Sequence, residues 1–464
     1  MKLNLNTSSF TKPSGLFIIF CFCFCIWTMD LWRAWHFNQT NFVWDIANYY
    51  SYLPAKFCNN NSFDFKNGLE VYLPNGPDGE KISKVTYGMS ILYAPYFALA
   101  YKIALNQGSP LDGFSEPFRT CIHWGSIFYA LIGLILLRNF LIKFFNEAVV
   151  TITLAICFFG TTLFYYTMAN SEMTHGYLFF LISGFLLATW HWHQKVTITK
   201  TVLLGFLIGI ISLIRPTEIL VGLIFVFWGV TGKEEFKNQI SKFLKYKWHL
   251  VSMMVIVFLI WLPQLLFWKA RTGSYFFFSY GDEKFFWGDP QIINILFSYR
   301  KGWLVYSPLI SLVFIGFFFM KDEVKKLRPL ILILLLVNLY MLSCWWDWFF
   351  GGGFGARAFC QHIAYLSLPI AAVCNYFINT EFTKKWMHHV KLLFFIIVFS
   401  GISFSVGNTY QFIKLYIHYN STTKESYWYV FGKYYLDGEH EGKWWGKIKE
   451  PNYDKLRSGE DRDQ

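Results

Sequence analysis

The chain has 464 residues, of which 55% are hydrophobic, 22% aromatic and only 15% charged. That balance excludes an ordinary soluble domain and leaves an all-α polytopic membrane protein. The net charge of +12 belongs to topology and anionic-lipid contact rather than to nucleic acid, because lysine and arginine collect in cytoplasmic loops and juxtamembrane segments.

A span needs about 20 apolar residues, and the sequence holds about eleven candidates by that measure. They run over 15–32, 120–138, 147–167, 175–192, 201–214, 217–231, 249–268, 303–320, 329–344, 361–378 and 392–409. The first has basic residues before it but no small-x-small site after it, so it reads as an uncleaved helix. The apolar, aromatic segment 87–105 is interrupted by Pro95 and reads as an interfacial helix inside a long first outer loop, 33–119. The fifth and sixth candidates form one stretch broken at Arg215-Pro216-Thr217-Glu218, either two helices or one broken helix.

Basic clusters at 233–247, 321–328 and 384–391 all fall on one face if the N-terminus is inside. The C-terminal tail, 410–464, is then outside, beyond a transmembrane domain of residues 1–409. Its charged end, 455–464, reads as unstructured. Cysteines lie mostly in spans as apolar packing residues, and Cys344 and Cys360 leave a disulfide open.

With that orientation the unusual polar residues share the outer side. The first outer loop holds Asp45 and Tyr49, and the second holds Glu172 and His175. Arg215 marks the third, and Arg300 and Lys301 close the fourth. The last is Trp345-Trp346-Asp347-Trp348-Phe349-Phe350-Gly351-Gly352-Gly353-Phe354-Gly355-Ala356-Arg357. Ionisable groups beside hydrocarbon face water, a partner or a substrate, and glycines let backbone approach something bulky.

Each of these residues also has a plainer reading. Asp45 would cap a helix starting near Ile46, Glu172 and His175 would be hydrated loop residues, and Arg215 would pair with Glu218. The tryptophans would form an interfacial belt, Asp347 and Arg357 an ion pair, and Arg300 and Lys301 flanking charges. No phosphate-binding glycine loop, paired-cysteine metal site or serine elbow is present.

The order of these features carries more than any one of them. An Asp soon after the first helix is followed by "YGMSILYAPYFALAY", an Arg opening the second span and "FFGTTLFYYTMANSEMTHG". Then come "LIRPTE", "RKGWLVYSPL" and "WWDWFFGGGFGARAF". This series, over roughly residues 15–375, resembles the bacterial GT-C glycosyltransferases of the protein O-mannosyltransferase and lipid A aminoarabinose transferase group. The resemblance implies transfer of a sugar from a polyprenyl-phosphate donor to an acceptor hydroxyl of a glycan, lipid or protein, with inversion. It places the reaction at the outer face of a bacterial inner membrane, with Asp45 as base or metal ligand. No adjacent second carboxylate accompanies Asp45, so a divalent metal stays open.

Physically, a carboxylate within about 3 Å of a hydroxyl proton can remove it, and inversion puts the phosphate opposite, on cationic groups. Asp45, Glu172 and His175 are the catalytic candidates, and Arg215, Arg300, Lys301 and Arg357 the donor and phosphate ligands. Tyr49, Trp346, Asp347 and Trp348 would line the substrate cavity. A transporter or flippase of lipid-linked sugars is the rival, but it calls for polar groups along a path to both faces and commonly for internal repeats.

Overall fold

The computed structural model describes residues 11–32, 42–65, 73–77, 79–381 and 383–462; of the segment expected as the first outer loop, 33–119, residues 33–41, 66–72 and 78 lie outside them. The described residues form helices and loops with no named strand, only two isolated β-bridges. Six helices are long and apolar enough to cross a membrane: Pro13–Leu31, Gly88–Gln107, Glu116–Leu141, Lys247–Thr272, Arg357–Asn379 and Lys385–Ile413. Shorter apolar helices cover Glu147–Phe159, Ile198–Ile214, Pro216–Val226 and Arg328–Cys344. The chain is a multi-pass, all-α membrane protein.

Two compact units divide it. Of the described residues, the first holds those of 42–137 and 170–281, and the second those of 11–32, 138–169 and 282–462. In the first, Ile198–Ile214 packs between Thr174–Gln194 and Lys247–Thr272. Gly205 and Gly209 make that approach possible, since a Cβ on Gly209 would stand 2.7 Å from Ile260 Cδ1. The Lys247–Thr272 helix is otherwise bare: only 6% of its apolar window is buried within the protein, as a lipid-facing helix should be. In the second unit the helix Ile363–Asn379 is buried along most of its length and packs on Glu147–Phe159 and Ser311–Gly316.

Several sequence expectations change. Pro95 does not interrupt its segment, because Gly88–Gln107 is one continuous 20-residue helix with Pro95 inside. It therefore has the length and hydropathy of a span. Conversely, 303–320 is not one helix but Trp303–Tyr306, a 3-10 turn Pro308–Ile310 and Ser311–Gly316, since a proline disfavours helical backbone just before it. The same rule sets the break at Arg215, which is extended (φ −140°, ψ 109°) between Ile198–Ile214 and the 3-10 helix Pro216–Val221. All nine cysteines are free, so Cys344 and Cys360 form no disulfide.

The tail departs most. Residues 453–458 are helical, and Arg462 is 97% buried, with its guanidinium donating to the carbonyls of Asp289, Ser343 and Trp345 and to the Asp289 carboxylate. Ser343 and Trp345 end the helix Arg328–Cys344, whose last carbonyls lack partners within the helix. A cation satisfies them, which charge composition alone did not reveal.

Candidate functional site

In the first unit, Asp45 occupies the first turn of Trp44–Tyr50 and is half-buried. The N-cap is Val43, with no side-chain bond, so the expected capping role for Asp45 is not realised. Trp44 takes a positive φ of 51° and is largely exposed. The helix is fixed from its far side, where Asn48 accepts from the Lys84 amide at 2.7 Å and Ser83 Oγ donates to the Asn48 carbonyl at 2.8 Å. Tyr49 follows Asp45 by one helical turn and is close enough to Arg215 to act on its charge, as are Glu218 and Tyr280. The expected neighbourhood of Arg215 and Glu218 is present, and Tyr49 joins it.

Glu172 is not a hydrated loop residue; it is 2% exposed. Its Oε1 lies 2.8 Å from His123 Nδ1, Ser171 Oγ is 3.1 Å from the same nitrogen, and Tyr93 OH donates to the Glu172 carbonyl. His175 opens the next helix, Thr174–Gln194, and is fully buried. Sequence reasoning missed His123. Its one signal was an ionisable residue inside the apolar run of Glu116–Leu141, which by itself marks a polar partner.

The second unit gathers the cations. Arg300 and Lys301 are 95% and 98% buried. Lys301 Nζ donates to the carbonyls of Gly353 and Tyr419, and Arg300 donates to the carbonyl of Asn420, its guanidinium 5.1 Å from the Phe349 ring centre. Burial pushes the Lys301 ammonium well below its usual value; Arg357 and Arg300 push it further, and Asp347 opposes them. The His418 imidazole is also lowered, first by burial and then by Lys301, with Arg300 adding and Glu450 opposing. The charged groups acting on Lys301 are thus two cations and one carboxylate, an excess of positive potential in a dry place.

The glycine-rich loop closes around this cluster. Phe354 donates its amide to Tyr166 OH at 2.7 Å. A Cβ on Gly353 would stand 2.5 Å from Arg357 Cδ and 2.6 Å from Tyr166 OH. Asp347 Oδ2 and Arg357 Nη2 flank Gly351, at 3.5 and 3.9 Å from where its Cβ would be, and Gly351 and Gly355 have positive φ. The bulky thing that the glycines admit is the protein itself, Tyr166 and Arg357. The tryptophans are not an exposed belt either: Trp348 is wholly buried with its indole on the Arg462 carbonyl, and Trp346 lies under Arg457 at 5.0 Å.

Among the described residues no three His, Cys, Asp or Glu side chains stand together as a metal site.

Solved structures similar to this chain include two of low sequence identity. One is ArnT from Cupriavidus metallidurans in the apo state, at 11% identity and TM-score 0.45, covering 79% of this chain and 71% of that one. The other is the archaeal oligosaccharyltransferase AglB from Archaeoglobus fulgidus, in complex with an inhibitory peptide and a dolichol-phosphate, at 11% identity and TM-score 0.48. That match covers 88% of this chain and 56% of AglB, little more than half its length. No protein-family model and no curated protein matches the chain.

Proposed function

We propose that the protein is a membrane glycosyltransferase that moves a sugar from a polyprenyl-phosphate donor to an acceptor hydroxyl, with inversion, at the outer face of the membrane. The observation that carries this reading is the cationic cluster of buried Arg300 and Lys301 with half-buried Arg357, beside buried Asp347. Burying like charges together is costly; the donor's phosphodiester monoanion seated there would offset part of that cost, and the departing polyprenyl phosphate, with a second negative charge, would offset more. The cluster is lined by Phe349 and Phe412 rings, surfaces that suit sugar C–H groups and prenyl carbons.

On this reading Asp45 is the base, with Tyr49 and Arg215 next to it and the Glu172–His123 pair and His175 in the same unit. In such a transfer the acceptor oxygen bonds to the anomeric carbon as the bond to phosphate breaks, a base takes the hydroxyl proton, and the departing phosphate keeps its charge balanced by cations. The proposal includes an N-terminus inside and the tail 410–464 outside.

Purified protein incubated with a polyprenyl-phosphate sugar and candidate acceptors tests it. Asp45→Asn should lower kcat while donor affinity holds, and Arg357→Ala should weaken donor binding. Transfer at wild-type rate by Asp45→Asn would remove that residue as base. Translocation of intact donor without any transfer would overturn the enzyme reading in favour of transport.

A further inference from the structure

We infer that the helix Lys233–Lys245 is an anionic-lipid docking element lying in the headgroup layer. It is 13 residues long and runs directly into Lys247–Thr272 through Tyr246. Phe236, Ile240 and Leu244 recur every fourth residue, so they line one face. They are 44%, 43% and 66% exposed, and Trp248 beyond them is 72% exposed.

That face is not the one the helix turns to its own unit. Gln239 is buried and donates to the Val226 carbonyl at 3.1 Å, Phe243 stacks on Phe225 at 5.5 Å, and Lys242 Nζ donates to the His193 carbonyl at 3.0 Å. The apolar row is therefore a second face: Phe236 at its start stacks on Phe227 at 6.3 Å, while Ile240 and Leu244 remain exposed. Lys233, Lys237, Lys245 and Lys247 are exposed around it, and residues 233–247 hold five lysines against two glutamates.

Two features identify what covers the row. It is continuous with Lys247–Thr272, whose apolar window is almost entirely bare of protein and so faces hydrocarbon. The lysines around it fit negative headgroups, since an amphipathic helix with a basic rim binds by apolar insertion plus attraction to anionic lipid. A protein partner would need no such continuity with the lipid-facing surface.

Hydrogen exchange on the full-length protein tests this, in nanodiscs of phosphatidylcholine alone or mixed with phosphatidylglycerol. Amides of 233–247 should exchange more slowly with phosphatidylglycerol, by about fivefold for each lysine engaged, while those of 438–445 stay unchanged. Raising salt, or the triple change Lys233→Gln, Lys237→Gln and Lys245→Gln, should remove the difference. Ile240→Ser with Leu244→Ser should remove it while the lysines remain. Equal exchange in the two lipids, or a difference that survives the triple change, overturns the inference.

Discussion

The indole Nε1 of Trp348 donates to the backbone carbonyl of Arg462 at 2.8 Å, across 114 residues of sequence. The same arginine returns its guanidinium to the Trp345 carbonyl. The loop that bears Asp347 is thereby held at both of its first turns by the chain's last described residue.

Arg462→Ala should destabilise the protein by about 1–3 kcal/mol, because the Trp345 carbonyl loses its guanidinium donor, whereas the Ser343 carbonyl keeps the Gln291 amide. Trp348→Phe should cost about 1–3 kcal/mol for the orphaned Arg462 carbonyl. Unfolding of purified protein in detergent measures both, and wild-type stability in Arg462→Ala would show that the tail is not an anchor.

Gly353→Ala should damage donor binding more than stability. The added methyl must displace Arg357 Cδ or the Tyr166 hydroxyl, at an overpacking cost of about 1–3 kcal/mol. The first shift moves the guanidinium assigned to phosphate, whose Nε also stands 3.1 Å from the new methyl. Gly352→Ala is the control, since its Cβ would meet only Tyr419 at 3.3 Å; equal donor affinity in the two variants contradicts the assignment.

Lys301 gives a pH dependence with a definite sign. Its ammonium loses its proton more readily folded than unfolded, driven by burial, then by Arg357 and Arg300. Below both values it is charged in both states and the folded state bears the penalty. As pH rises toward the usual lysine value of 10.5, the unfolded chain holds more protons, so stability rises. Lys301→Met should flatten that rise in denaturation curves taken across alkaline pH. Donor phosphate should also flatten it, by stabilising the charged form.

Much of the site could be read in the sequence because its residues are anomalous where they stand. A charge and four glycines between apolar runs, or Arg before Pro216, breaks the pattern of a membrane helix. What escaped is what depends on tertiary partners. Arg462 sits in a charged stretch whose composition matches disorder, and its partners are backbone carbonyls invisible in the sequence. Tyr166 is one aromatic among 28 tyrosines, singled out only by the glycine loop folded on it. Trp348 looked like an interfacial anchor because its hydrogen-bond acceptor lies so far along the chain.

Glu172 and His123 make a further pair to test. If the dyad serves the reaction, Glu172→Gln should lower kcat by about a hundredfold with unfolding little changed, since the amide keeps the shape. His123→Ala should do the same. A loss of stability with turnover intact would make the pair purely a packing device.

The distance between Trp348 and Arg462 also sets an order of events during synthesis. At about 5–20 residues per second, the anchor is made roughly 6–20 s after the indole that it receives. For that interval the loop Trp345–Arg357 is in place without the contacts that close it. The loop that bears Asp347 is thus closed only after the helix Lys385–Ile413 has been made.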